Sequence, residues 1–185
     1  MTSIPQKLSG YLLANAGIKQ ILVMVPLQVA FFFFLFPFLA DRFGPGDFMQ
    51  PLDLMFGFTA CEAFSHLQQL GDQGRKGYLI TLVFADTLYP LVYSTLLALI
   101  ISAGIKRMNT SKPNWKVINL IPYFAAYFDL LENAGIMAML ISFPDKTSLA
   151  AWLASVAGML KWSFVAISVL VAAGGIVRLL FFNKK

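Results

Sequence analysis

The 185-residue sequence contains one cysteine, one histidine and few charged residues. A single cysteine, Cys61, cannot form an intrachain disulfide, a CxxC redox motif or a cysteine-based metal site. A single histidine, His66, excludes bis-histidine haem ligation and a multi-histidine zinc site within one chain. No sequence fingerprint of a cofactor site accompanies these absences. We therefore expect no metal ion and no cofactor.

Charge is also scarce, because 12% of the residues are charged and 58% are hydrophobic. Soluble domains carry about 25% charged residues, so this composition is typical of a membrane protein. The net charge of +5 would suggest nucleic acid as a partner in a soluble protein. Here the basic residues lie mostly in loops and tails beside apolar segments, where they set membrane orientation. We expect membrane lipids, and no nucleic acid, as partners.

Four long apolar segments predict four transmembrane helices, at about residues 18–40, 78–104, 117–143 and 149–182. Each has at least the ~20 residues needed to cross ~30 Å of hydrocarbon. The first is longer than the roughly 7–15-residue apolar core of a signal peptide, so we interpret it as a helix that is retained. The predicted fold is all-α: a polytopic membrane protein with one domain, residues 1–185, built as a four-helix bundle.

Basic residues in the short connections predict the orientation. The connection between spans two and three and the C-terminal tail carry basic residues and no acid: Lys106, Arg107, Lys112, Lys116, Arg178, Lys184 and Lys185. Cytoplasmic loops carry an excess of lysine and arginine. Both termini are therefore predicted to be cytoplasmic, and an even number of spans agrees with this.

The connection at about residues 41–77 is the longest segment outside the predicted spans. It opens with the helix breakers Gly44, Pro45 and Gly46, and Thr59 with Glu62 then forms a capping-box pattern. Apolar residues follow at helical spacing: Ala60, Ala63, Phe64, Leu67 and Leu70. We predict a short amphipathic extracytoplasmic helix over the outer mouth of the bundle or along the lipid interface. Gly71 suits its C-cap, and the run from Gly71 to Arg75 is expected to turn the chain back into the membrane.

Polar residues interrupt every predicted span at a similar depth. Counting about 1.5 Å per helical residue from the outer ends places them roughly 12–21 Å deep. They are Gln28 in the first span, Asp86 in the second, Asp129 and Glu132 in the third, and Lys161 in the fourth. Ionisable residues inside a membrane are costly and usually functional. This layer is therefore the candidate ligand-binding site.

Helical spacing adds further residues to that layer. Tyr89 and Tyr93 follow Asp86 at i+3 and i+7, and Asn133 follows Asp129 at i+4. We expect the whole set to face the bundle interior: Gln28, Asp86, Tyr89, Tyr93, Asp129, Glu132, Asn133 and Lys161. The prolines Pro90 and Pro122 either kink their helices beside the acids or are simply tolerated. The aromatic block Phe31–Phe34 is expected to face lipid.

Three acids and one lysine would carry a net charge of −2 if all were ionised. We therefore expect Lys161 to pair with Asp129 or Glu132, and at least one other acid to hold a proton. Polar side chains also join transmembrane helices, by ~0.6 kcal/mol per hydrogen bond. The excess of acid over lysine favours a functional site over such a purely structural role.

Four strings of sequence, taken in order, give the chain a resemblance to a group of proteins. They are Gly57-Phe58-Thr59, Leu70-Gly71-Asp72-Gln73-Gly74-Arg75, Asp86-Thr87-Leu88-Tyr89-Pro90 and Asp129-Leu130-Leu131-Glu132-Asn133. Over about residues 50–140, the chain resembles small uncharacterised bacterial four-span integral membrane proteins with DTxYP and DxxEN motifs. The resemblance implies a bacterial inner (cytoplasmic) membrane and brings no activity with it.

Three functions are compatible with the sequence. The favoured one is binding or moving a proton, a cation or a small amine-bearing solute through the acidic cluster, in a homo-oligomer because four spans are few for a transporter. The second is a membrane enzyme acting on a lipid or isoprenoid-like substrate by carboxylate acid/base chemistry. The third is a structural or accessory subunit of a larger membrane complex. Whether the chain is an enzyme stays open, and no catalytic residue is assigned.

Overall fold

The computed structural model describes residues 3–43, 50–108 and 117–181. The predicted breakers at 44–46, the loop lysines Lys112 and Lys116, and the terminal lysines Lys184 and Lys185 lie outside the described residues. The side chain of Arg178 is also outside them. Within the described ranges the secondary structure is helical, with no strand.

Eight α-helices and four shorter helical turns make up the described chain. The α-helices are α1 (Ile4–Asn15), α2 (Ile18–Ala30), α3 (Phe36–Phe43), α4 (Ala60–Gln69), α5 (Gly71–Thr81), α6 (Tyr89–Met108), α7 (Ile121–Ser142) and α8 (Ser148–Phe181). The short turns are π-helical at Phe31–Leu35 and Leu82–Asp86, and 3₁₀ at Leu52–Leu54 and Val117–Leu120.

Four helical stretches are long and apolar enough to cross a membrane: Ile18–Arg42, Gly71–Arg107, Val117–Ser142 and Ser148–Val177. The predicted all-α, four-span class is confirmed. The prediction of a single domain stays a prediction.

The start of the second span differs from the sequence expectation. Gly71 has a φ of +63°, a left-handed conformation in which glycine is unstrained, so it ends α4 as predicted. The change of chain direction is complete at that residue, and α5 therefore begins at Gly71 rather than near Tyr78. Asp72 and Arg75 form an ion pair one turn apart within α5. The run from Gly71 to Arg75 is thus the first turn of a helix and not a loop.

The short helix α4 forms where the sequence predicts it. The Thr59 hydroxyl accepts a hydrogen bond from the Glu62 N–H, and the Glu62 carboxylate accepts one from the Thr59 N–H at 2.7 Å. Its buried residues Ala63, Phe64 and Leu67 pack with apolar residues of α7 and α8: Ile136, Met139, Leu140, Ala151 and Ala154. The helix therefore packs against spans three and four.

The chain divides into two compact units, each with its own core. Unit 1 comprises Met1–Gln28, Leu91–Ala126 and Ser163–Lys185, and unit 2 comprises Val29–Pro90 and Tyr127–Trp162. In unit 1, α1 packs through Leu12 against Ala98 and Leu99 of α6. Unit 2 contains the core around α4, and within it α3 packs against α5.

Candidate functional site

Three of the predicted site residues lie on one buried face of α7. Asp129, Glu132 and Asn133 are spaced i, i+3 and i+4, which places them on the same side of a helix. All three are buried in unit 2, and Glu132 is 0% exposed. Lys161, on α8 in the same unit, is buried as well.

The Lys161 ammonium contacts three oxygen atoms. Its Nζ lies 2.5 Å from Glu132 Oε2 and 3.5 Å from Asp129 Oδ1. It also donates a hydrogen bond of 2.7 Å to the backbone carbonyl of Asp53. A lysine ammonium has three N–H donors, so this side chain has one oxygen partner for each of them. Two carboxyl groups thus share one cation.

Small residues allow α7 and α8 to approach closely at this point. A Cβ atom at position 158 would clash with Oε1 of Glu132, and a Cβ at position 135 would lie 2.8 Å from that of Ala154. The two glycines, Gly135 and Gly158, therefore create the space in which the Glu132 carboxyl group lies against the α8 backbone. Among the described residues, Glu132 Oε1 and Asn133 Oδ1 have no hydrogen-bond partner, although both are buried.

The position of Asn133 follows from a proline in the second span. Pro90 has no N–H, so it cannot bond the carbonyl four residues earlier, which belongs to Asp86. The Asn133 Nδ2 donates to that carbonyl at 2.8 Å. The amide side chain therefore replaces the missing backbone donor, as polar groups of neighbouring helices commonly do in membrane proteins. Pro122, in contrast, lies in the first turn of α7, where the helix has no bond to lose.

The same proline changes the register of the second span. The chain is π-helical at Leu82–Asp86, and α6 begins only at Tyr89. The i, i+3 spacing of Asp86 and Tyr89 thus does not run along one regular helix. The Tyr89 ring packs on Phe31 and Phe36, with ring centroids 5.6 and 5.1 Å away. Phe31 is accordingly buried, unlike the exposed remainder of the block, Phe32, Phe33 and Phe34.

The Asp86 carboxyl is half-buried and within electrostatic range of Asp53, Asp129 and Lys161. Asp53 and Asp129 also act electrostatically on Glu132. The acidic cluster of unit 2 thus comprises Asp53, Asp86, Asp129 and Glu132, together with Lys161. If every member were ionised, its net charge would be −3.

Asp53 and its partner Tyr78 are two members of the site that the sequence analysis missed. Asp53 is 8% exposed, and its carboxylate accepts a hydrogen bond from the Tyr78 hydroxyl. That hydroxyl also accepts from the Asp53 N–H at 3.3 Å. The signal in the sequence is an acid between Leu52 and Leu54, in an apolar run of the connection between the first two spans.

The segment that carries Asp53 is bound to unit 2 at several points. Leu52 is buried in the core, and the Phe58 N–H donates to Ser155 Oγ at 2.9 Å. Gly57 lies against Met159, one turn of α8 beyond Ser155. The connection between the first two spans therefore reaches the lysine of the fourth span.

Two predicted residues belong to the other unit. Tyr93 is buried in unit 1 and Gln28 is half-buried there. The contacts described within unit 2 accordingly do not include them. Their membership of the site stays a prediction.

Two ionisable groups on α4 lie outside the spans. The hydrogen bonds from the Thr59 backbone and hydroxyl lower the pKa of Glu62. Burial lowers the pKa of His66, and the negative charge of Asp53 opposes that shift. The charge of Asp53 therefore acts on His66 as well.

No three histidine, cysteine, aspartate or glutamate side chains in the described ranges are grouped so as to hold a metal ion. Comparisons with protein-family models, with curated proteins and with solved structures each found no match.

Proposed function

We propose that this integral membrane protein binds a proton or the ammonium group of a small amine-bearing solute at the acidic cluster of unit 2. The observation that carries the proposal is the sharing of one ammonium, that of Lys161, between Asp129 and Glu132. Two carboxylates and a carbonyl oxygen are acceptors that suit an ammonium ion. The chain fills this set of acceptors with its own lysine.

The excess of acidic over basic groups in the cluster supports binding of a second cation in addition to the Lys161 ammonium. Four carboxyl groups interact electrostatically with one lysine. Buried charge is costly unless it is compensated. A proton or an ammonium group would reduce that imbalance. The buried Oε1 of Glu132 and Oδ1 of Asn133, which have no donor among the described residues, are the acceptors that such a ligand would use.

Each residue has a distinct role in this proposal. Glu132 and Asp129 bind the proton or ammonium group, and Asp86 supplies further negative charge. The Lys161 ammonium competes with the ligand for the Glu132 carboxyl group. A ligand bound to Glu132 therefore weakens the attraction between Glu132 and the lysine. Asn133 fixes the Asp86 backbone beside the cluster.

Native mass spectrometry tests the solute form of this proposal. The gently purified protein is compared with Asp129→Asn and with Asp145→Asn, which removes an exposed acid of unit 2, in the presence and absence of methylammonium. We expect an adduct in the wild type and in Asp145→Asn that is lost in Asp129→Asn. No adduct in any form would restrict the ligand to a proton. Equal adducts in all three forms would exclude a site at Asp129.

A purely structural role is the second candidate, and one observation favours it. Lys161 joins α7, α8 and the segment at Asp53, as a structural crosslink would. If this were its whole role, replacing the pair by Glu132→Gln with Lys161→Met would leave a stable protein with unchanged proton and amine binding. Loss of binding in a double variant that still unfolds cooperatively would favour the binding role.

We also propose a bacterial inner-membrane location with both termini in the cytoplasm. The excess of lysine and arginine beside the second connection supports it. Within unit 1, Lys106 donates hydrogen bonds to carbonyl oxygens at the end of α1, so the N-terminal helix lies beside this basic end of α6.

A further inference from the structure

The N-terminal helix α1, which the sequence analysis did not predict, has two contrasting faces. Ser9 and Leu12 are buried in unit 1. Ile4, Leu8 and Tyr11 are 82%, 46% and 67% exposed. Because these three are spaced i, i+4 and i+7, they form one apolar stripe along the helix. The stripe is exposed and lies beside the buried face of the helix.

Polar contacts fix the direction of that stripe. The Lys106 Nζ donates to the carbonyl oxygens of Ala16 at 2.9 Å and Ala14 at 3.4 Å, which satisfies carbonyls left free at the helix end. The Asn119 Nδ2 donates to the Ser9 carbonyl at 3.3 Å. Together with the burial of Leu12, these bonds hold α1 against α6 and the start of α7. The apolar stripe therefore stays on the outside of unit 1.

The charges of the two units indicate what covers the stripe. The sequence stretches 1–28, 91–126 and 163–185, which belong to unit 1, contain nine lysines and arginines and no aspartate or glutamate. The stretches of unit 2 contain the other five basic residues and all nine acids. Lys7, one turn before Tyr11, and Lys19, near the start of α2, are both exposed. A positively charged surface with an apolar stripe is complementary to a membrane surface rich in anionic lipid.

We propose that α1 is an interfacial anchor for anionic phospholipid. The stripe of Ile4, Leu8 and Tyr11 inserts among the headgroups, and Lys7 and Lys19 bind headgroup phosphates. A second copy of the chain is a poorer occupant, because two unit 1 surfaces would bring like charges together. The anchor is independent of the acidic cluster, which lies in unit 2.

Site-directed fluorescence tests the insertion of the stripe. In a Cys61→Ala background, an environment-sensitive label is attached to Leu8→Cys or, as the matched control in the same helix, to Gly10→Cys. Gly10 is exposed and a Cβ there meets no atom within 4 Å, so the control substitution fits. The proteins are reconstituted in phosphatidylcholine vesicles with or without phosphatidylglycerol. We expect the label at position 8, and not at position 10, to be quenched by a lipid-bound quencher, and more strongly with phosphatidylglycerol. Equal quenching at both positions, or equal quenching in both lipids, would overturn the proposal.

A charge-matched pair of variants tests the role of the lysines. Lys7→Gln with Lys19→Gln removes two exposed charges from unit 1, and Lys76→Gln with Lys146→Gln removes two exposed charges from unit 2. Each lysine near an anionic surface strengthens binding roughly fivefold. Native mass spectrometry in mixed lipid should show the preference for phosphatidylglycerol falling several-fold in the first pair and not in the second. An equal decrease of this preference in both pairs, or no decrease in the first pair, would contradict the proposal.

Discussion

The Lys161 ammonium and the Asp53 carbonyl oxygen are joined by a 2.7 Å hydrogen bond, although the residues are 108 positions apart. Through this bond, the lysine that pairs with Glu132 and Asp129 also holds the connection between the first two spans. Any change in the charge of the two acids therefore changes the forces on the segment at Asp53. In the proposed function, ligand binding at the cluster would therefore act on the connection between the first two spans.

Gly158→Ala should destabilise the protein by about 1–3 kcal/mol, the range for adding a methyl group to a packed interior. The new Cβ would displace the Glu132 carboxyl group, which Lys161 holds in place. Gly174→Ala is the control in the same helix, because no atom lies within 4 Å of a Cβ there. The free energy of unfolding of both variants is measured in mixed detergent micelles. A cost for Gly174→Ala that equals the cost for Gly158→Ala would contradict the predicted clash.

Tyr78→Phe should cost about 1.5–3 kcal/mol, the value of a hydrogen bond to a charged group. The substitution removes the hydroxyl that donates to the buried Asp53 carboxylate. Tyr127→Phe, which removes the hydroxyl of an exposed tyrosine, should be nearly neutral. The free energy of unfolding of both variants gives the comparison. If Tyr78→Phe were as neutral as the control, Asp53 would not depend on this contact.

Thr59→Ala should loosen the first turn of α4 by about 1 kcal/mol, the usual cost of removing an N-cap hydroxyl. Thr59→Ser keeps the hydroxyl and should preserve the cap. Hydrogen exchange of the amide of Glu62, which donates to this hydroxyl, reports the difference. Equal exchange rates in the alanine and serine variants would count against the cap.

The capping carboxylate of Glu62 should also make the stability of α4 depend on pH. Its pKa is lowered from the usual 4.5 by hydrogen bonds from Thr59. The contribution is therefore complete above the unfolded pKa and is lost as the pH falls through the lower folded value. Protection of the α4 amides should decrease in acid in the wild type, and Glu62→Gln should remove this part of the decrease. An unchanged acid profile in Glu62→Gln would oppose the assignment.

Cys61 reports the orientation of the chain, because it is exposed on α4 and is the single cysteine. If the termini are cytoplasmic, α4 lies outside the inner membrane. A membrane-impermeant maleimide should then label Cys61 in spheroplasts before lysis. Labelling only after lysis would reverse the proposed orientation.

Local sequence signals predicted much of the fold. The length of the apolar segments predicted the four spans, and the capping-box pattern of Thr59 and Glu62 predicted the start of α4. A comparable signal for α1 was present, since Ser3 and Gln6 form a capping box with Pro5 in the first turn. The length of apolar segments gives no signal for α1, because the first long apolar run begins only at Ile18.

The parts of the site that depend on distant contacts could not be predicted in the same way. The spacing of Asp129 and Glu132 indicates a shared face from local geometry alone. The contact of Lys161 with Asp53 depends on the path of the connection between the first two spans, which apolar periodicity does not reveal. The bond from Asn133 to the Asp86 carbonyl requires the packing of two helices, even though Pro90 reveals the free carbonyl.

Infrared spectroscopy of the carboxyl groups tests the central claim most directly. Spectra of the wild type near neutral pH are compared with those of Glu132→Gln, and with Asp145→Asn as a control for an exposed acid. Binding of a proton at the cluster predicts a protonated carboxyl band in the wild type and in Asp145→Asn that is lost or shifted in Glu132→Gln. Fully ionised carboxyl groups in the wild type, with no bound cation in the mass spectrum, would contradict the proposed function.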